Sequence, residues 1–383
     1  MIPRLFLWCG IAVTAVAAAY ALTALVAVAL WRRRQARPAP GGSLPAAASG
    51  VTVLKPLCGA EPGLYQCLRS FCEQHHPRMQ IIFGVRDPQD PALEVVGRLE
   101  REFPQVELTR VIDSREHGTS RKVSNLINMM GKARHDLIVL ADADVRVPQH
   151  YLTRVVAPLA DPGVGIVTCP YRGIARAGHC SALLAAFVNE WFMPSVQVAA
   201  LCGSRAFAFG STIALRRETL AAIGGFAAIA DQLADDYRLG ELTRLQGLRT
   251  VLSEVEVETD VHDPDLRALV RHELRWLRTI RVVRPGGYAS SFMTFDLPVA
   301  TLGAALAGLA TPALALLAVT AGARLMLHFA TRRSGSGPSP LWVAPLSDFL
   351  AFALWCWGFA SRRVYWRQAR YRVARDGSVR PAP

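Results

Sequence analysis

Several patterns that identify common protein classes are missing from this chain of 383 residues. Its eight cysteines include no Cys-x-x-Cys pair, so we expect reduced thiols rather than a disulfide framework or a metal cluster. Zinc-finger spacing and basic motifs interleaved with aromatic residues are also missing, which argues against nucleic acid as a partner. There is no internal repeat. The length allows one large domain together with membrane segments.

Charged residues are missing from long stretches at both ends of the chain. Leu5 to Trp31 carries no charge and exceeds the roughly 20 residues that a helix needs to cross a bilayer. Two further apolar runs cover Leu297 to Ala323 and Leu341 to Ala360, and only Asp348 interrupts the last one. The first run resembles a signal peptide in its alanine content, but its length and the arginines behind it favour a retained anchor.

Basic residues flank these runs and predict the topology. The arginine cluster within residues 32–37 should keep the following domain in the cytoplasm, and the basic tail after Ser361 should lie there too. Residues 297–323 form either one tilted helix or a hairpin broken at Thr311-Pro312, with Arg324, Arg332 and Arg333 then in an outer loop. The net charge of +13 is explained by attraction to anionic lipid headgroups.

These features predict a multi-pass membrane protein with one folded domain. A segment rich in proline, glycine and small residues separates the anchor from the domain, as a linker does. The predicted parts are an anchor at 1–35, a linker at 36–50, a cytoplasmic domain at 51–290, a C-terminal membrane region at 291–361 and a basic tail at 362–383.

Short apolar runs alternate with helical patterns through the central domain. This alternation predicts βαβ units, and therefore an α/β domain with a mainly parallel sheet, which binds ligands beyond the carboxyl ends of its strands. The predicted strands cover Val51–Leu54, Gln80–Val85, Val106–Ile112, Leu137–Ala141 and Val164–Cys169. The predicted helices cover Leu64–Phe71, Ala92–Phe103, Lys122–Ala133 and Tyr151–Leu159.

Two acids follow the fourth predicted strand directly. Asp142 and Asp144, one residue apart at a strand end, can reach a hard cation that also holds diphosphate oxygens. Mg²⁺ or Mn²⁺ is the expected cofactor, and an ordinary loop with two solvated acids is the alternative. Asp87, after the second strand, can accept hydrogen bonds from a nucleotide, or it can form a turn before Pro88.

Three basic or polar positions are weaker candidates for nucleotide-sugar binding. Lys55 ends the first strand, where it can contact the nucleotide or remain an exposed loop lysine. Lys122, beside Arg121, opens a predicted helix, and Asn125 lies one turn later. Nothing in the sequence decides among these roles.

A second acidic pair, Asp235-Asp236, stands near the start of an amphipathic segment. The helix dipole favours the ionised carboxylate there, so one of the two can act as a general base, although ordinary helix-start acids give the same pattern. Arg271, Arg275 and Arg278 then share one face of a helix predicted from Pro264 to Arg281. That face can clamp a diphosphate, with Trp276 at the acceptor, or it can lie at the lipid headgroups.

Taken in order, these motifs resemble the inverting family-2-type glycosyltransferases of GT-A fold, and among them the ceramide glucosyltransferase group. The resemblance covers residues 51–290. It is carried by Val53–Gly59, Val85–Ala92, Asp142–Val147, Val167–Gly173, Gly210–Phe226 and Leu233–Tyr237.

The resemblance implies a role for each acid. Asp87 would bind the nucleotide of a UDP-sugar, Asp142 and Asp144 would bind the metal and the diphosphate, and Asp236 would be the base. In the family's Gln/Arg-x-x-Arg-Trp motif, Arg275 and Trp276 match, whereas His272 replaces the first residue, so either His272 or Arg271 takes its role.

Among bacterial relatives, the combination of one N-terminal span, these motifs and a short C-terminal membrane region looks most like the hopanoid-biosynthesis glycosyltransferases. This resemblance implies transfer of N-acetylglucosamine from UDP-GlcNAc to bacteriohopanetetrol at the inner membrane of a bacterium. Ceramide glucosylation from UDP-glucose is the sister activity, and a processive polysaccharide synthase, a polyprenyl-phosphate sugar transferase and a non-catalytic scaffold are the rivals. The synthase usually needs more membrane helices than the three or so that this chain offers.

Overall fold

The computed structural model describes residues 4–36, 49–332 and 340–360, together with the backbone of three short strands between 363 and 381. Most of the predicted linker, residues 37–48, and parts of the predicted tail lie outside the described residues. The described strands are β1 Val51–Pro56, β2 Met79–Val85, β3 Glu107–Ile112, β4 Leu137–Leu140, β5 Val145–Arg146, β6 Val164–Thr168, β7 Tyr171–Ala175, β8 Ile213–Arg216, β9 Arg249–Leu252, β10 Val257–Val261, β11 Arg363–Trp366, β12 Ala369–Val373 and β13 Val379–Pro381.

The α-helices surround the strands and continue beyond them. Short 3₁₀ turns follow several of them, and a π-helical segment, Phe187–Phe192, joins two. In chain order the α-helices are α1 Arg4–Gln35, α2 Leu64–Cys72, α3 Ala92–Glu102, α4 Arg121–Met130, α5 Tyr151–Val156, α6 Gly178–Ala186, α7 Met193–Leu201, α8 Arg217–Ala222, α9 Asp235–Leu245, α10 Leu266–Val283, α11 Pro285–Ser290, α12 Asp296–Leu306, α13 Thr311–Thr331 and α14 Val343–Gly358.

The central sheet has seven strands in the order β3-β2-β1-β4-β8-β6-β9. Only β8 runs antiparallel to its neighbours, β4 and β6, and the other pairs are parallel. The α/β prediction and all five predicted strands are therefore confirmed, with ends that differ by one or two residues.

Helices cover both faces of this sheet, as a mainly parallel sheet requires. Val53 and Val139 face the layer of α2, α3 and α5, whereas Leu54 and Ile138 face α4, α8 and α9. Successive strand residues point to opposite faces, so these apolar runs are buried on both sides. The four predicted helices are confirmed as α2, α3, α4 and α5, the last continued by a 3₁₀ turn.

A small second sheet, β5-β10-β7, lies beside the end of β4. β5 begins one residue after Asp144, and Val145 pairs with Thr259 of β10. The loop that carries the two acids is thus held between two sheets.

Within the described part of the chain, two helices, α1 and α13, are long and apolar enough to cross a membrane. Residues 285–294 and α12 form a pair bent by 70° that can make a third span, and α14 is a shorter apolar helix. The predicted run 297–323 is broken at 307–310, where Leu309 has a positive φ of 58°, so the single tilted helix is wrong and the break precedes Thr311.

Close backbone contact joins α1 to α12. A Cβ atom on Gly10 would lie 2.5 Å from the carbonyl oxygen of Gly303, and one on Gly303 would lie 2.5 Å from Oγ1 of Thr14. Small residues allow this approach, which is how many membrane helices associate. The segment α6 to α7, which the sequence pattern did not reveal as a membrane contact, packs on α1 and α14.

Arg324 is not in a loop, as the sequence suggested, but inside α13. Its guanidinium binds the Asp348 carboxylate of α14, with Nε 2.6 Å from Oδ2, and donates to the Glu190 carbonyl at 2.9 Å. Asp296 Oδ1 lies 3.6 Å from Arg324 Nε, and His328 Nδ1 is 2.8 Å from the Glu190 carboxylate. We call these five residues the membrane-region cluster.

Candidate active site

A cavity of ≈ 1000 Å³ opens at the carboxyl ends of β1, β2 and β4. This is where a mainly parallel sheet binds its ligand, and the volume is that of a pocket for a molecule of drug or nucleotide size. Its walls include four of the predicted site residues, Asp87, Lys122, Asp142 and Asp144.

Asp142 and Asp144 stand where β4 ends. The Asp142 side chain is 37% exposed and faces the cavity. The Asp144 carboxylate accepts a hydrogen bond from Thr259 Oγ1 at 2.8 Å, and burial together with the Asp142 charge raises the pKa of Asp144. Two carboxylates that repel each other at a cavity wall favour a bound cation.

The two acids fit a metal site that a ligand completes. Within the described ranges, no group of three or more His, Cys, Asp and Glu side chains is placed to hold a metal ion. Mg²⁺ is commonly held by one or two carboxylates with phosphate oxygens and water as the other ligands, and Mn²⁺ takes the same oxygen ligands. Asp144 and Asp142 supply that number of carboxylates beside an open cavity.

Lys122 joins the two acidic pairs. It lies in the first turn of α4, whose Ser120 cap accepts from the Val123 amide. Its Nζ is 2.7 Å from Asp142 Oδ1 and 3.3 Å from Asp235 Oδ2. Burial disfavours the ammonium, but the carboxylates together outweigh burial and raise the pKa of Lys122. Lys122 is therefore a charged group of the site.

Asp236 lies beside these residues, at the start of α9. Its carboxylate accepts from the Gly210 amide at 2.9 Å and from the Tyr237 amide at 2.7 Å. Burial and the Asp235 charge raise the pKa of Asp236 to about 6. A carboxylate with this pKa is ionised at neutral pH and is more basic than an exposed aspartate, as a general base requires.

Gly210 lies where Asp142 and Asp236 come together, and the sequence analysis assigns it no role beyond membership of a stretch that resembles the family. A Cβ atom there would lie 3.0 Å from Asp142 Oδ2, 3.3 Å from Lys122 Nζ and 3.6 Å from Asp236 Oδ2. The absence of a side chain lets all three groups converge. We call Asp142, Asp144, Asp235, Asp236 and Lys122 the cavity cluster.

Lys55 is not an exposed loop lysine, and it does not line the cavity. Its side chain is fully buried, lies 4.0 Å above the Phe71 ring and donates to the backbone carbonyl of Asp142. Burial lowers the pKa of Lys55 to about 8. Lys55 thus holds the Asp142 backbone in position, and a contact between Lys55 and the nucleotide stays a prediction.

Asp87 lies at the cavity rim, exposed, with Oδ1 accepting from the Gln89 amide at 2.8 Å. Both predicted roles, turn formation and access to a ligand, are therefore compatible with its position. Asn125 lies in the wall as well, but its amide donates to the Gly84 carbonyl at 2.7 Å, and Arg121 is a further wall residue.

The basic-aromatic motif lies on α10, which begins at an Asp265 cap. Burial lowers the pKa of Arg275, and the charges of Asp142 and Asp236 oppose that shift, which places Arg275 within electrostatic reach of the cavity cluster. The three predicted arginines do not share one environment, because Arg271 is exposed and Arg278 is buried.

The two other residues of the motif, His272 and Trp276, pack on each other and contact further residues. The His272 ring lies 4.6 Å from Trp276, edge to face, and its Nδ1 is 3.3 Å from Asp263 Oδ2. Trp276 packs at 6.1 Å from Phe187 in the π-helical segment. The motif thus joins the cavity cluster to the helices that contact the membrane segments.

Comparison with known proteins identifies the family of this chain. The model of glycosyl transferase family 21 matches residues 9–379. Ceramide glucosyltransferase 1 of Caenorhabditis elegans is 26% identical over 209 residues, which are 53% of this chain and 44% of that protein. The ceramide glucosyltransferase of Komagataella phaffii is 31% identical over 121 residues, 30% of this chain and 24% of that protein.

A solved structure shows the same fold. A mannosyltransferase from Pyrobaculum calidifontis, in complex with GDP-Man and Mn²⁺, superposes with a TM-score of 0.53 at 22% identity, over 90% of this chain and 98% of that one. The predicted GT-A fold is confirmed. The curated relatives are matched over half of their length or less. Because the family model spans nearly the whole sequence, the chain belongs to glycosyl transferase family 21.

Proposed function

We propose that this protein is an inverting membrane glycosyltransferase that moves a sugar from a UDP-sugar to a lipid hydroxyl. The specific reaction we propose is transfer of N-acetylglucosamine from UDP-GlcNAc to bacteriohopanetetrol. The observation that most supports glycosyl transfer is the convergence of Asp142, Lys122 and Asp236 on Gly210. It puts groups that can hold the diphosphate beside a carboxylate whose pKa is raised to about 6.

In this proposal Asp236 removes the proton from the acceptor hydroxyl. The hydroxyl oxygen bonds to the anomeric carbon as the bond from that carbon to UDP breaks, so one displacement inverts the anomeric centre. The Gly210 and Tyr237 amides hold the carboxylate in place, and its pKa of about 6 suits proton transfer near neutral pH.

The leaving group carries negative charge, which cations stabilise. In this proposal Lys122 at the cavity wall binds the diphosphate, Arg275 acts on it through its charge, and Asp87 at the rim binds the base or ribose. When bound by Asp144 and Asp142, Mg²⁺ or Mn²⁺ supplies further charge neutralisation. Lys55 contributes indirectly by holding the Asp142 backbone.

The proposed location is the cytoplasmic face of a bacterial inner membrane. Arginines 32–34 end α1, the first candidate span, and basic residues favour the cytoplasmic side. A hydroxyl at that surface would then meet the cavity from the membrane side. Glucosylation of ceramide is the second candidate, because the curated relatives are named ceramide glucosyltransferases.

The test is transfer of labelled sugar in membranes that contain this chain. UDP-GlcNAc and UDP-glucose are each supplied with bacteriohopanetetrol or with ceramide, with and without EDTA, and membranes without the chain are the control. We expect N-acetylglucosaminyl bacteriohopanetetrol that disappears with EDTA. Glucosylceramide would replace the specific proposal with the second candidate, a polymer would indicate a synthase, and no product from either donor would overturn the function.

A further inference from the structure

A second, small pocket of ≈ 30 Å³ lies between the end of α1, α7, the end of α13 and β7. Of the residues that the structure describes, none lines both this pocket and the large cavity. About 10–15 Å³ is enough for one water, so the small pocket accepts a group of one or two heavy atoms rather than a sugar.

Two residues that line this pocket carry buried polar atoms without partners. Trp31 is 6% exposed and Gln197 is 7% exposed, and both line the pocket. Among the described residues, neither Trp31 Nε1 nor Gln197 Oε1 has a hydrogen-bond partner. A buried donor or acceptor without a partner costs about 1–3 kcal/mol, so such atoms usually have a ligand or a water.

The two atoms are chemically complementary to one kind of group. The indole N–H only donates and the amide oxygen only accepts. A hydroxyl or a secondary amide both donates and accepts, and so offers each of the two atoms the kind of partner that it lacks. Arg32 and Arg172 also line the pocket, but Arg32 donates to the Ala330 carbonyl and Arg172 binds Glu256 and the Thr331 carbonyl. An anion would meet the Gln197 oxygen with the wrong sign, and an apolar chain would leave both atoms unpaired.

One aromatic layer separates the pocket from the proposed base. Tyr171 lines the pocket and packs on Phe209 at 5.8 Å, edge to face. Gly210, the next residue, donates to Asp236. The charge of Asp236 also acts on the Tyr171 hydroxyl, whose pKa is raised by burial and by that charge.

The opposite side of the pocket belongs to the membrane boundary. Trp31 precedes the arginines that end α1, and Arg32 donates to the Ala330 carbonyl at the end of α13. Tryptophan and arginine are typical of the headgroup level. The pocket therefore lies between that level and the aromatic layer beside Asp236.

From these observations we propose that the pocket is an acceptor subsite, which binds a second polar group of the lipid through Trp31 Nε1–H and Gln197 Oε1. This inference rests on the proposed function and narrows it. The preferred acceptor carries a hydroxyl or amide besides the hydroxyl that reacts, as a polyol lipid or a hydroxylated amide lipid does, whereas a lipid with one hydroxyl leaves the pocket unused and binds more weakly.

The test compares Trp31→Phe and Gln197→Met with two matched variants, Trp8→Phe on the same helix and Gln246→Met, which are both exposed. With bacteriohopanetetrol in nanodiscs, each pocket variant should raise the acceptor KM by roughly tenfold, the worth of one hydrogen bond. In the pocket variants the KM for UDP-GlcNAc and kcat should equal those of wild type. The two matched variants should have the wild-type acceptor KM.

A second acceptor separates this role from a structural one. With a hopanoid that carries a single terminal hydroxyl, wild type and pocket variants should show the same KM. The subsite would be overturned if the pocket variants kept the wild-type KM for bacteriohopanetetrol. It would also be overturned if their KM rose equally for both acceptors, as expected for a pocket that holds only water.

A binding measurement keeps the subsite testable if the chain transfers sugar to no lipid. The melting temperature of wild type should rise in nanodiscs that contain bacteriohopanetetrol or ceramide, because a ligand stabilises the state it binds. Trp31→Phe should lose this rise and Trp8→Phe should keep it. Equal shifts in both variants would reject the subsite, whatever the outcome for the proposed function.

Discussion

The cavity cluster and the membrane-region cluster both join several aspartate or glutamate side chains to one central cation, but they differ in what faces outward. Lys122 holds Asp142 and Asp235, and Asp142 still exposes 37% of its side chain to the cavity. Arg324 holds Asp348 with both side chains 6% exposed. The first arrangement leaves carboxylate oxygens free for a ligand, whereas the second encloses its charges.

This difference teaches that residue type alone does not define a site. A buried ion pair contributes little net stability, yet removal of one partner leaves an unpaired charge at high cost. A partly exposed group of acids with fewer cations attracts a positive ligand instead. Changes in the cavity cluster should therefore alter chemistry with little effect on folding, and changes in the membrane-region cluster should do the reverse.

The largest effect is expected from Asp236→Asn. Asparagine keeps the size of the side chain but cannot accept the proton, so transfer should fall by about 10²–10⁴. Affinity for UDP-GlcNAc and the melting temperature should change little. Asp265→Asn, which replaces one good helix cap with another, is the matched control. Full turnover in Asp236→Asn would remove the base assignment and favour an acceptor that is already ionised.

Arg324→Met should have the next largest effect, on folding. It leaves the Asp348, Asp296 and Glu190 carboxylates without their common partner, at a cost of about 3–5 kcal/mol of unfolding free energy. The measurement is the yield and melting temperature of purified protein in detergent. Arg267→Met, at an exposed position of α10, should behave as wild type. Normal stability with lost transfer would mean that this cluster is catalytic after all.

Lowering the pH should reduce transfer through the cavity cluster without any mutation. Below the pKa of about 6 the Asp236 carboxyl is protonated and cannot act as a base, so kcat should fall roughly tenfold for each pH unit below 6 and level off above it. Rates at saturating donor and acceptor from pH 5 to 8 measure this. A flat profile through pH 6 would show that another group accepts the proton.

Gly303→Ala should give the smallest effect. The new Cβ would lie 2.5 Å from Thr14 Oγ1, so α1 and α12 must move apart, which should cost about 1–3 kcal/mol of unfolding free energy. Gly322→Ala on α13 meets nothing within 4 Å and should cause no loss. Equal melting temperatures of the two variants would contradict the close contact between α1 and α12.

Local patterns predicted much of the fold. The alternation of buried strands and helices identified β1 to β4 and β6, and the strand end placed Asp142 and Asp144 at the cavity wall. The sequence also predicted that Asp236 and Arg275 act with these acids. In the structure Asp236 and Asp142 both lie beside Gly210, and the charges of both acids act on Arg275.

The errors arise where distant segments decide the outcome. Lys55 looks like a loop lysine because nothing nearby in the sequence reveals the Phe71 ring or the Asp142 carbonyl that bury it. Arg324 looks exposed because its partner, Asp348, is on another helix. Gly210 and Tyr171 lay in stretches that resemble the family, but their roles follow only from tertiary contacts.

The packing of α1 against α12 and α13 also sets the order in which the protein can be completed during synthesis. About 260 residues separate Gln35 from Asp296, so at about 5–20 residues per second the ribosome needs roughly 10–60 s between the first helix and its partners. Over that interval the Gly10 surface of α1 faces lipid instead of α12. Until the ribosome has supplied both partner helices, the nascent chain exposes a docking surface that other membrane helices with small residues can occupy.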